Sequence, residues 1–296
     1  MTKARENSDY TGLAADIVAG DTAARAGRKN LIINGDMQVS QRGDYTSATT
    51  VSNGLYYIDR WQLHTSGVSS TVQDTGRKQK VTATSTATGY LIPQQQIEDL
   101  TYLQGKTVTV SAKVTSNSSN ARLQVSDNAT MYNSTPHTGG GGEEILILTV
   151  AIPSSATAVK VRPVIASITG NALSITSGDY IEFTNVQLEL GSVATDFEHR
   201  SYGEELALCQ RYYYTTIYQK RQTSIANGSY WHESLMFPTQ MRTAPTCVWT
   251  TSAGNWFTVN GLYEYADGNG VRIDFRTASV SGSAYLYGSI TADAEL

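Results

Sequence analysis

Short runs in which apolar and polar residues alternate are the feature that most constrains the fold of this chain. The run KTVTVSAKV, residues 106–114, alternates in this way, and ARLQV, residues 121–125, repeats the pattern. A period of two is that of a β-strand with one buried face, and turn residues separate the runs at spacings typical of sandwiches and barrels. We therefore predict an all-β protein.

The composition supports this prediction and the length extends it. Only 16% of the residues are charged, while Thr, Ser, Gly and Tyr are abundant, as expected for strands and turns. A chain of 296 residues is long enough for two ordinary domains. It contains no internal repeat of constant period, which argues against a solenoid, a propeller or a β-helix. We predict two consecutive jelly-roll-like β-sandwiches.

Changes of pattern along the chain divide it into four segments. Residues 1–29 are interrupted by glycines and sustain no alternation, so we predict an extended N-terminal attachment arm. Residues 30–200 are predicted to form the first sandwich and residues 214–296 a distal sandwich. Between them, residues 201–213 are predicted to form a short connector helix.

The connector is predicted from its N-terminal capping signal. In RSYGEELALCQRYYY, Ser201 can cap the first turn while Glu204, three residues later, reaches back to the backbone of Ser201. This is the capping-box arrangement, and it marks the start of a helix. The helix is expected near residues 202–212.

Two further segments make specific predictions about strands. In DYIEFTNVQLELG the apolar residues fall on odd positions up to Phe183 and on even positions from Val186. A strand keeps one inner face only if an extra residue is absorbed, which predicts a β-bulge at Thr184 or Asn185. The run ILILTVAI, residues 145–152, is apolar at almost every position, which predicts a central strand covered on both faces.

Charge and hydropathy argue against two classes of partner. The formal net charge is -4 and Lys and Arg form no cluster, so nucleic-acid binding is not expected. No apolar run approaches the roughly 18 residues needed to span a bilayer, so membrane insertion is not expected. The first residues are charged where a signal peptide would be apolar, which predicts that the protein is made in a cytoplasm.

The sequence offers no catalytic constellation, so we predict that the protein is not an enzyme. The four histidines are scattered, without the spacing of a zinc site. Glu143 and Glu144 are neighbours in a predicted strand and would point to opposite faces, which does not suit a glycosidase pair. Cys209 and Cys247 are interpreted as buried thiols, although the sequence leaves a single disulfide open.

Aromatic side chains are the other resource. The chain contains 18 tyrosines, and rings exposed on a β surface can stack on the apolar faces of sugars. Four aromatic residues near turn signals of the distal segment are candidates for glycan binding: Trp231, Trp256, Tyr263 and Tyr265. The alternative is that they are core or subunit-interface residues, which is the commoner role of aromatic residues in strands.

Two distant segments carry a family resemblance. NLIINGDMQVSQRG (residues 30–43) with the following YYIDRW, and the later segment from DYIEFTNVQLELG to QRYYY, together resemble a pattern in bacteriophage tail-fibre and other virion appendage proteins. Those proteins also tend to end in ADAEL, as this chain does. The first segment is similar to the first strand of carbohydrate-binding-module jelly rolls. That resemblance implies that this strand and the later segment lie side by side and close one sandwich.

The same resemblance implies roles for particular residues. Many such modules hold a structural calcium near these strands, and the corresponding positions here are Asn34, Asp36 and Asn185. The alternative, which we favour, is a turn in which Asp36 satisfies local backbone donors. No other cofactor is expected. We interpret Asp59, Arg60 and Trp61 as structural residues, an ion pair beside a buried indole, and not as catalytic residues.

The resemblance implies a function in the virion. The leading hypothesis is a tail-fibre or appendage adhesin, a homotrimer that binds other virion proteins through its N-terminal arm and a host-surface glycan through several weak contacts. The alternative is a capsid decoration, cement, head-fibre or collar protein that reads no glycan. A third hypothesis, a polysaccharide-degrading spike, would require Glu143, Glu144 or Asp267 to act as catalytic acids.

Overall fold

The structure is a computed structural model that describes residues 28–169, 172–222, 228–255, 257–265, 267–277 and 284–296. In this part of the chain almost all regular structure is antiparallel β-sheet, and the sheets form sandwich-like domains, which confirms the predicted fold class. The same residues include no helix that is long and apolar enough to cross a membrane. The predicted arm lies outside the described residues, apart from Arg28 and Lys29.

Thirteen strands precede the helix and form what we call the proximal sandwich. They are β1 (Thr49–Thr50), β2 (Tyr56–Ile58), β3 (Trp61–Ser66), β4 (Ser70–Asp74), β5 (Gln79–Ala83), β6 (Ala87–Gln96), β7 (Thr107–Ser116), β8 (Ala121–Ser126), β9 (Met131–Asn133), β10 (Glu143–Ala151), β11 (Lys160–Ile165), β12 (Leu173–Ile175) and β13 (Tyr180–Leu190). Sheet I has the order β1-β4-β5-β13-β7-β10. Sheet II has the order β2-β3-β6-β11-β8-β9, and β12 pairs with β6.

The helix α1 (Tyr202–Gln210) and six further strands complete the chain. The strands form what we call the distal sandwich: β14 (Tyr213–Gln222), β15 (Tyr230–Met236), β16 (Thr246–Asn255), β17 (Phe257–Glu264), β18 (Gly270–Thr277) and β19 (Ala284–Asp293). Sheet III has the order β14-β19-β16 and sheet IV the order β15-β18-β17. The predicted boundaries of the domains stay predictions.

The core of the proximal sandwich lies between sheets I and II. Alternation in the sequence places it there, because β7 buries Val108, Val110, Ala112 and Val114 in the core, while the intervening Ser111 and Lys113 are half-buried. Trp61 from β3 packs against Phe183 from β13, with ring centroids 5.1 Å apart, and both are fully buried. Burial of apolar side chains of this size is the main stabilising contribution to the fold.

The two familiar segments lie side by side, as predicted, but the first is not a strand. Leu31 N donates to Leu188 O at 2.8 Å, and Val186 N donates to Gly35 O at 2.8 Å. Residues 33–36 nevertheless form bends and a turn, and Asn34 there adopts a left-handed φ of 57°. The contact closes the proximal sandwich without a regular strand.

The predicted bulge is present. The register of β13 against β7 shifts between Thr184 and Gln187, and Asn185 has a left-handed φ of 51°. The extra residue moves the inner face from Phe183 to Val186 and Leu188, all three of which are fully buried. Parity in the sequence was therefore sufficient to locate the irregularity.

The prediction for residues 145–152 was wrong. They belong to β10, which lies at the edge of sheet I and not at its centre. Leu146 and Leu148 face the core, whereas Ile145 and Ile147 are 66% and 48% exposed. An apolar run shows that one face can be buried, but it does not show that a second layer covers the other face.

The connector helix starts at the predicted capping box. Ser201 Oγ accepts from Glu204 N, and the Glu204 carboxylate accepts from Ser201 N. The helix buries a carboxyl group, Glu205, whose Oε1 accepts from Asn34 N at 2.5 Å and pairs with Arg200. Burial raises the pKa of Glu205, although Arg200 opposes this. The helix is thereby fixed to the turn that opens the proximal sandwich.

A buried ion cluster joins the two sandwiches and corrects one expectation. Asp59 does not pair with Arg60; its carboxylate accepts from Gln41 N at 2.6 Å. Arg60, which is 2% exposed, instead binds Glu295 near the C-terminus and stacks on the Tyr212 ring at 3.5 Å. The predicted buried indole, that of the adjacent tryptophan, is present. The ADAEL ending therefore lies in the junction between the sandwiches.

The two cysteines are free thiols. Cys209 in α1 is buried and Cys247 in β16 is half-buried. Burial raises the pKa of the Cys209 thiol well above its ordinary value, which keeps it protonated and inert. No disulfide therefore contributes to stability among the described residues.

Candidate functional site

A row of five polar side chains crosses the outer face of sheet II. The row runs over β3, β6, β11, β8 and β9, and we call it the polar row: Gln62, Gln94, Arg162, Gln124 and Asn133. Backbone register aligns Gln62 with Gln94, Arg162 with Gln124, and Gln124 with Asn133. Their strand neighbours point into the core, so the period of two that builds the sandwich also presents the row on the outside.

Hydrogen bonds hold the polar row in two parts. In the first part, Gln94 Nε2 donates to Gln62 Oε1 at 3.0 Å, and Arg162 Nε donates to Gln94 Oε1 at 3.0 Å. In the second part, Gln124 Nε2 donates to Asn133 Oδ1 at 3.0 Å. Each amide is thereby fixed in orientation before any ligand arrives, which reduces the entropy lost on binding.

The row is incomplete beside its centre. Gln124 is fully buried, and its Oε1 has no hydrogen-bond partner among the described residues. A buried acceptor without a donor costs about 1–3 kcal/mol. Such a group lowers stability, and at a position that faces outward it is a candidate contact for a ligand that brings its own donor.

The surroundings of the row combine an apolar patch with basic groups. Tyr90 is half-buried and packs against Ile92, Val164 and Ala166 on the same face. His64 Nε2 lies 2.8 Å from Gln62 Oε1, and burial together with the charges of Arg162 and Lys160 lowers the pKa of His64. Neutral hydrogen-bonding groups beside an apolar ring are the combination that sugar rings require.

The structure places Trp231 and Tyr263, two of the four aromatic residues predicted to bind glycan, on opposite faces of sheet IV. Trp231 is in register with Phe275 and packs against the distal core, whereas Tyr263 is in register with Arg272 on the opposite face of sheet IV. The Arg272 guanidinium lies 4.5 Å from the Tyr263 ring centroid. Their role in glycan binding stays a prediction.

Tyr265 and Trp256 complete that set. The Tyr265 hydroxyl lies 2.6 Å from Ser234 Oγ, near the end of sheet IV. Trp256 lies outside the described residues. The tyrosines thus share the outer face and rim of one distal sheet, and they are available to a ligand only on that side.

The three residues proposed for a structural calcium have protein partners in the structure, and the calcium stays a prediction. Asn34 Oδ1 accepts from Val39 N at 3.0 Å, and Asn34 Nδ2 donates to Val39 O at 2.8 Å, so this amide stabilises a turn. Asp36 pairs with Arg77, which supplies the positive charge locally. Asn185 Oδ1 accepts from Thr184 Oγ1 at 3.4 Å. No cluster of three or more His, Cys, Asp or Glu residues suited to a metal occurs in the described part of the chain.

The three acids of the spike hypothesis are engaged separately. Glu143 pairs with Lys78 at 2.9 Å, and Glu144 binds the Thr138 hydroxyl. Asp267 lies in the distal sandwich, where its Oδ2 accepts from Asn269 Nδ2 at 2.7 Å. Hydrogen bonds lower the pKa of all three carboxyl groups. The largest cause is the hydrogen bond from Lys78 for Glu143, that from the Thr138 hydroxyl for Glu144, and that from the Asn269 backbone for Asp267.

Sequence reasoning missed the polar row for a geometric reason. Its members come from five strands, and their alignment depends on pairing between strands whose residues are as far apart in the chain as Gln94 and Arg162. One signal was available locally. Alternation in ARLQV places Arg122 and Gln124 on the face opposite Leu123, but both side chains are buried there, at 7% and 0% exposed.

Comparison with known proteins finds similar solved structures but no similar sequences. No protein-family profile matches the sequence, and no curated protein is significantly similar to it. The enzymatically active domain of tailspike protein 4 of bacteriophage CBA120 is 17% identical with a TM-score of 0.33, over 48% of this chain. The match covers 21% of that tailspike chain, so this chain spans about a fifth of its length.

Carbohydrate-binding modules are also among the similar structures. A variant of the family 29 module CBM29-2 is 12% identical with a TM-score of 0.31, over 52% of this chain and 98% of the module. The family 11 module of a cellulosomal cellulase of Clostridium thermocellum is 12% identical with a TM-score of 0.30, over 51% of this chain and 98% of the module. At these values any ligand has to be argued from the residues of this chain.

Proposed function

We propose that the protein is a phage virion appendage adhesin that binds a host-surface glycan through the polar row. The observation that carries the proposal is the aligned row of amides and one guanidinium on the sheet face opposite the core, with an acceptor beside its centre that lacks a donor among the described residues. Planar amide and guanidinium groups can donate to and accept from adjacent sugar hydroxyls, and Tyr90 offers a ring beside them.

The proposal is for a binding and structural protein rather than an enzyme. In the alternative role, a decoration, cement, head-fibre or collar protein, the same face would have no ligand. The two roles separate in an adsorption assay. Purified protein that competes with phage for the host surface supports the adhesin, whereas protein that is incorporated into particles but never competes supports decoration.

Binding through the polar row can be tested against the distal aromatic residues. We expect Gln94→Ala to weaken binding to host-surface polysaccharide by at least about tenfold, since it removes both an acceptor and a donor from the row. The matched control is Tyr263→Ala, which alters an exposed ring on the distal sandwich. Isothermal titration with both variants, checked for folding by circular dichroism, would contradict the proposal if only Tyr263→Ala lost affinity.

The proposal includes a homotrimer, and sheet III offers a surface for it. The outer face of sheet III carries Ile217, 64% exposed, and Val248, 51% exposed. Arg221 and Asp293 lie at opposite ends of this face. The described residues of the face that lie between these two ends are uncharged. In a trimer whose axis runs along the strands, each residue meets its own copies at one height, so a charge would face like charges. A face without charge meets this requirement.

The oligomeric state can be measured directly. Light scattering is expected to give three times the chain mass of 32.1 kDa, and Ile217→Lys is expected to give the chain mass alone. Tyr230→Lys, on the outer face of sheet IV, is the control and should stay assembled. A wild-type monomer, or an assembled Ile217→Lys variant, would exclude this interface.

Attachment through the arm is also part of the proposal. We expect a chain beginning at Arg28 to bind glycan normally but to be absent from purified particles, because residues 1–27 would contact the neighbouring virion proteins. Mass spectrometry of particles complemented with the shortened chain measures this. Incorporation at the wild-type level would show that attachment uses another surface.

A further inference from the structure

Three basic side chains lie on the face that carries the polar row. Lys160 and Arg162 belong to β11, and Arg122 belongs to β8. No ion pair joins any of them to a carboxylate among the described residues, and the partners of Arg162 are neutral: Gln94 Oε1 at 3.0 Å and Met131 Sδ at 3.3 Å. Lys160 Nζ donates to an amide oxygen, Asn128 Oδ1, at 3.0 Å.

The strand register places these three charges close together. Lys160 and Arg162 are two residues apart on one strand, which separates their Cα atoms by about 7 Å. Arg162 is aligned with Gln124 and Val164 with Arg122, so Arg162 and Arg122 are diagonal neighbours, roughly 7–8 Å apart. Lys160 is aligned with Ser126, four residues from Arg122, so the three residues lie along a diagonal line about 14 Å long between its outer Cα atoms, with Arg162 in the middle.

Like charges held together without counter-charges destabilise one another. Burial lowers the pKa of Lys160, and the charge of Arg162 lowers it further. Burial also lowers the pKa of Arg162. Elsewhere this chain neutralises its buried arginines: Glu295 pairs with both Arg42 and Arg60. Lys160, Arg162 and Arg122 differ from those arginines, because no carboxylate among the described residues neutralises their charge.

We propose that the glycan bound at the polar row is an acidic saccharide whose sugar carboxylates pair with Arg162 and Lys160; this rests on the proposed function. A guanidinium can bind a carboxylate through two parallel hydrogen bonds, which fixes the sugar ring as well as attracting it. The Gln94 and Gln124 amides then bind neighbouring hydroxyls. Arg122, which is 7% exposed, acts from the border of the site through its charge.

The choice of a saccharide over a nucleic acid follows from the scale of the charge. Three basic groups on one sheet face of a chain with a net charge of -4 do not provide the extended basic surface that a phosphate backbone requires. They do match a chain with one carboxylate per sugar or per few sugars. Salt should therefore weaken binding moderately, by displacing a few counter-ions and not many.

The test compares matched ligands on the full-length protein. Oligogalacturonate and its carboxyl-reduced counterpart have the same linkage and differ in charge. We expect at least about tenfold tighter binding of the acidic ligand at low salt, and a loss of that preference in Arg162→Gln. Arg272→Gln is the control, because Arg272 is already paired with Asp274 at 3.0 Å in the distal sandwich.

The outcomes separate the inference from the proposed function. Equal affinity for both ligands in the wild-type protein would overturn the acidic saccharide and leave glycan binding intact. Binding of neither ligand, nor of any host-surface polysaccharide, would overturn the proposed function itself. A sulfated oligosaccharide of the same length that bound more tightly than oligogalacturonate would overturn the assignment to carboxylates.

Discussion

The proximal and distal sandwiches are built from the same kind of strand but differ in how they are stabilised. The proximal sandwich packs a six-stranded sheet against a seven-stranded one around fully buried Trp61 and Phe183. The distal sandwich has two three-stranded sheets and a much smaller core around Ile273 and Phe275. Small cores gain less from burial, so the distal sandwich depends more on its neighbours.

The outer faces of the two sandwiches differ in how their charged side chains are paired. In the distal sandwich, Asp274 accepts from His232 at 2.8 Å and pairs with Arg272, so the charges of sheet IV satisfy each other. In the proximal sandwich, the hydrogen-bond partners of Arg162 among the described residues are neutral. The region with the larger core thus carries the less satisfied surface, which is where a ligand can contribute most.

The largest expected effect concerns the difference between the cores. Trp61→Ala should destabilise the proximal sandwich by about 4 kcal/mol, because it removes a fully buried indole and the hydrogen bond from its Nε1 to Asn34 O. Trp231→Ala, at a half-buried ring of the distal core, should cost about half as much. Denaturant unfolding of both variants measures this. Equal costs would contradict the contrast between the cores.

The second prediction concerns the junction. Glu295→Gln should cost about 3 kcal/mol, because it leaves the buried guanidinium groups of Arg42 and Arg60 without their shared carboxylate. Calorimetry should then resolve the two sandwiches as separate transitions. The control is Glu264→Gln, at an exposed distal residue, which should change stability by less than about 0.5 kcal/mol. A variant that unfolds like the wild type would exclude the junction as the coupling element.

The third prediction concerns the unsatisfied face. Arg162→Met should stabilise the proximal sandwich by about 1 kcal/mol in the absence of ligand, since it removes a partly buried charge that lacks a carboxylate. Arg272→Met, which breaks a pair with Asp274, should not stabilise the distal sandwich. Thermal unfolding of the two variants decides the point, and a destabilised Arg162→Met variant would show that the residue has a structural role.

The smallest expected effect is a dependence on pH at the junction. Burial favours the neutral form of Glu98, but hydrogen bonds from Tyr212 and Arg211 outweigh it and lower the pKa of Glu98 below its ordinary value of 4.5. A lowered pKa in the folded state stabilises the protein above about pH 4.5, and this contribution is lost as the pH falls through the folded value. Glu98→Gln should flatten stability between pH 5 and pH 3, measured by thermal unfolding against wild type.

The fold could be predicted from the sequence wherever one segment was sufficient. Alternation located β7, the change of parity located the bulge near Asn185, and Ser201 with Glu204 located the start of α1. Failures occurred where a partner mattered. The run at β10 shows its core face but not its position at the edge, and Arg60 could not be matched to Glu295 across 235 positions.

The candidate site was less predictable than the fold. Aromatic residues near turn signals predicted glycan binding in the distal segment. Amide side chains are common in the sequence and give no local indication of a binding site. The polar row forms because five strands pair in one register. The charge of Arg162 has no carboxylate partner among the described residues, and this depends on where the fold places the acidic residues. Both properties depend on tertiary structure.

Side-chain amide resonances offer the most direct test of the central claim that the proximal sheet face binds glycan. Nuclear magnetic resonance of the full-length protein during titration with oligogalacturonate should shift the amide groups of Gln62, Gln94 and Gln124 and leave the ring signals of Tyr263 and Tyr265 unchanged. Shifts confined to the two tyrosines, with the three glutamines unmoved at saturation, would contradict the account and assign binding to the distal sandwich.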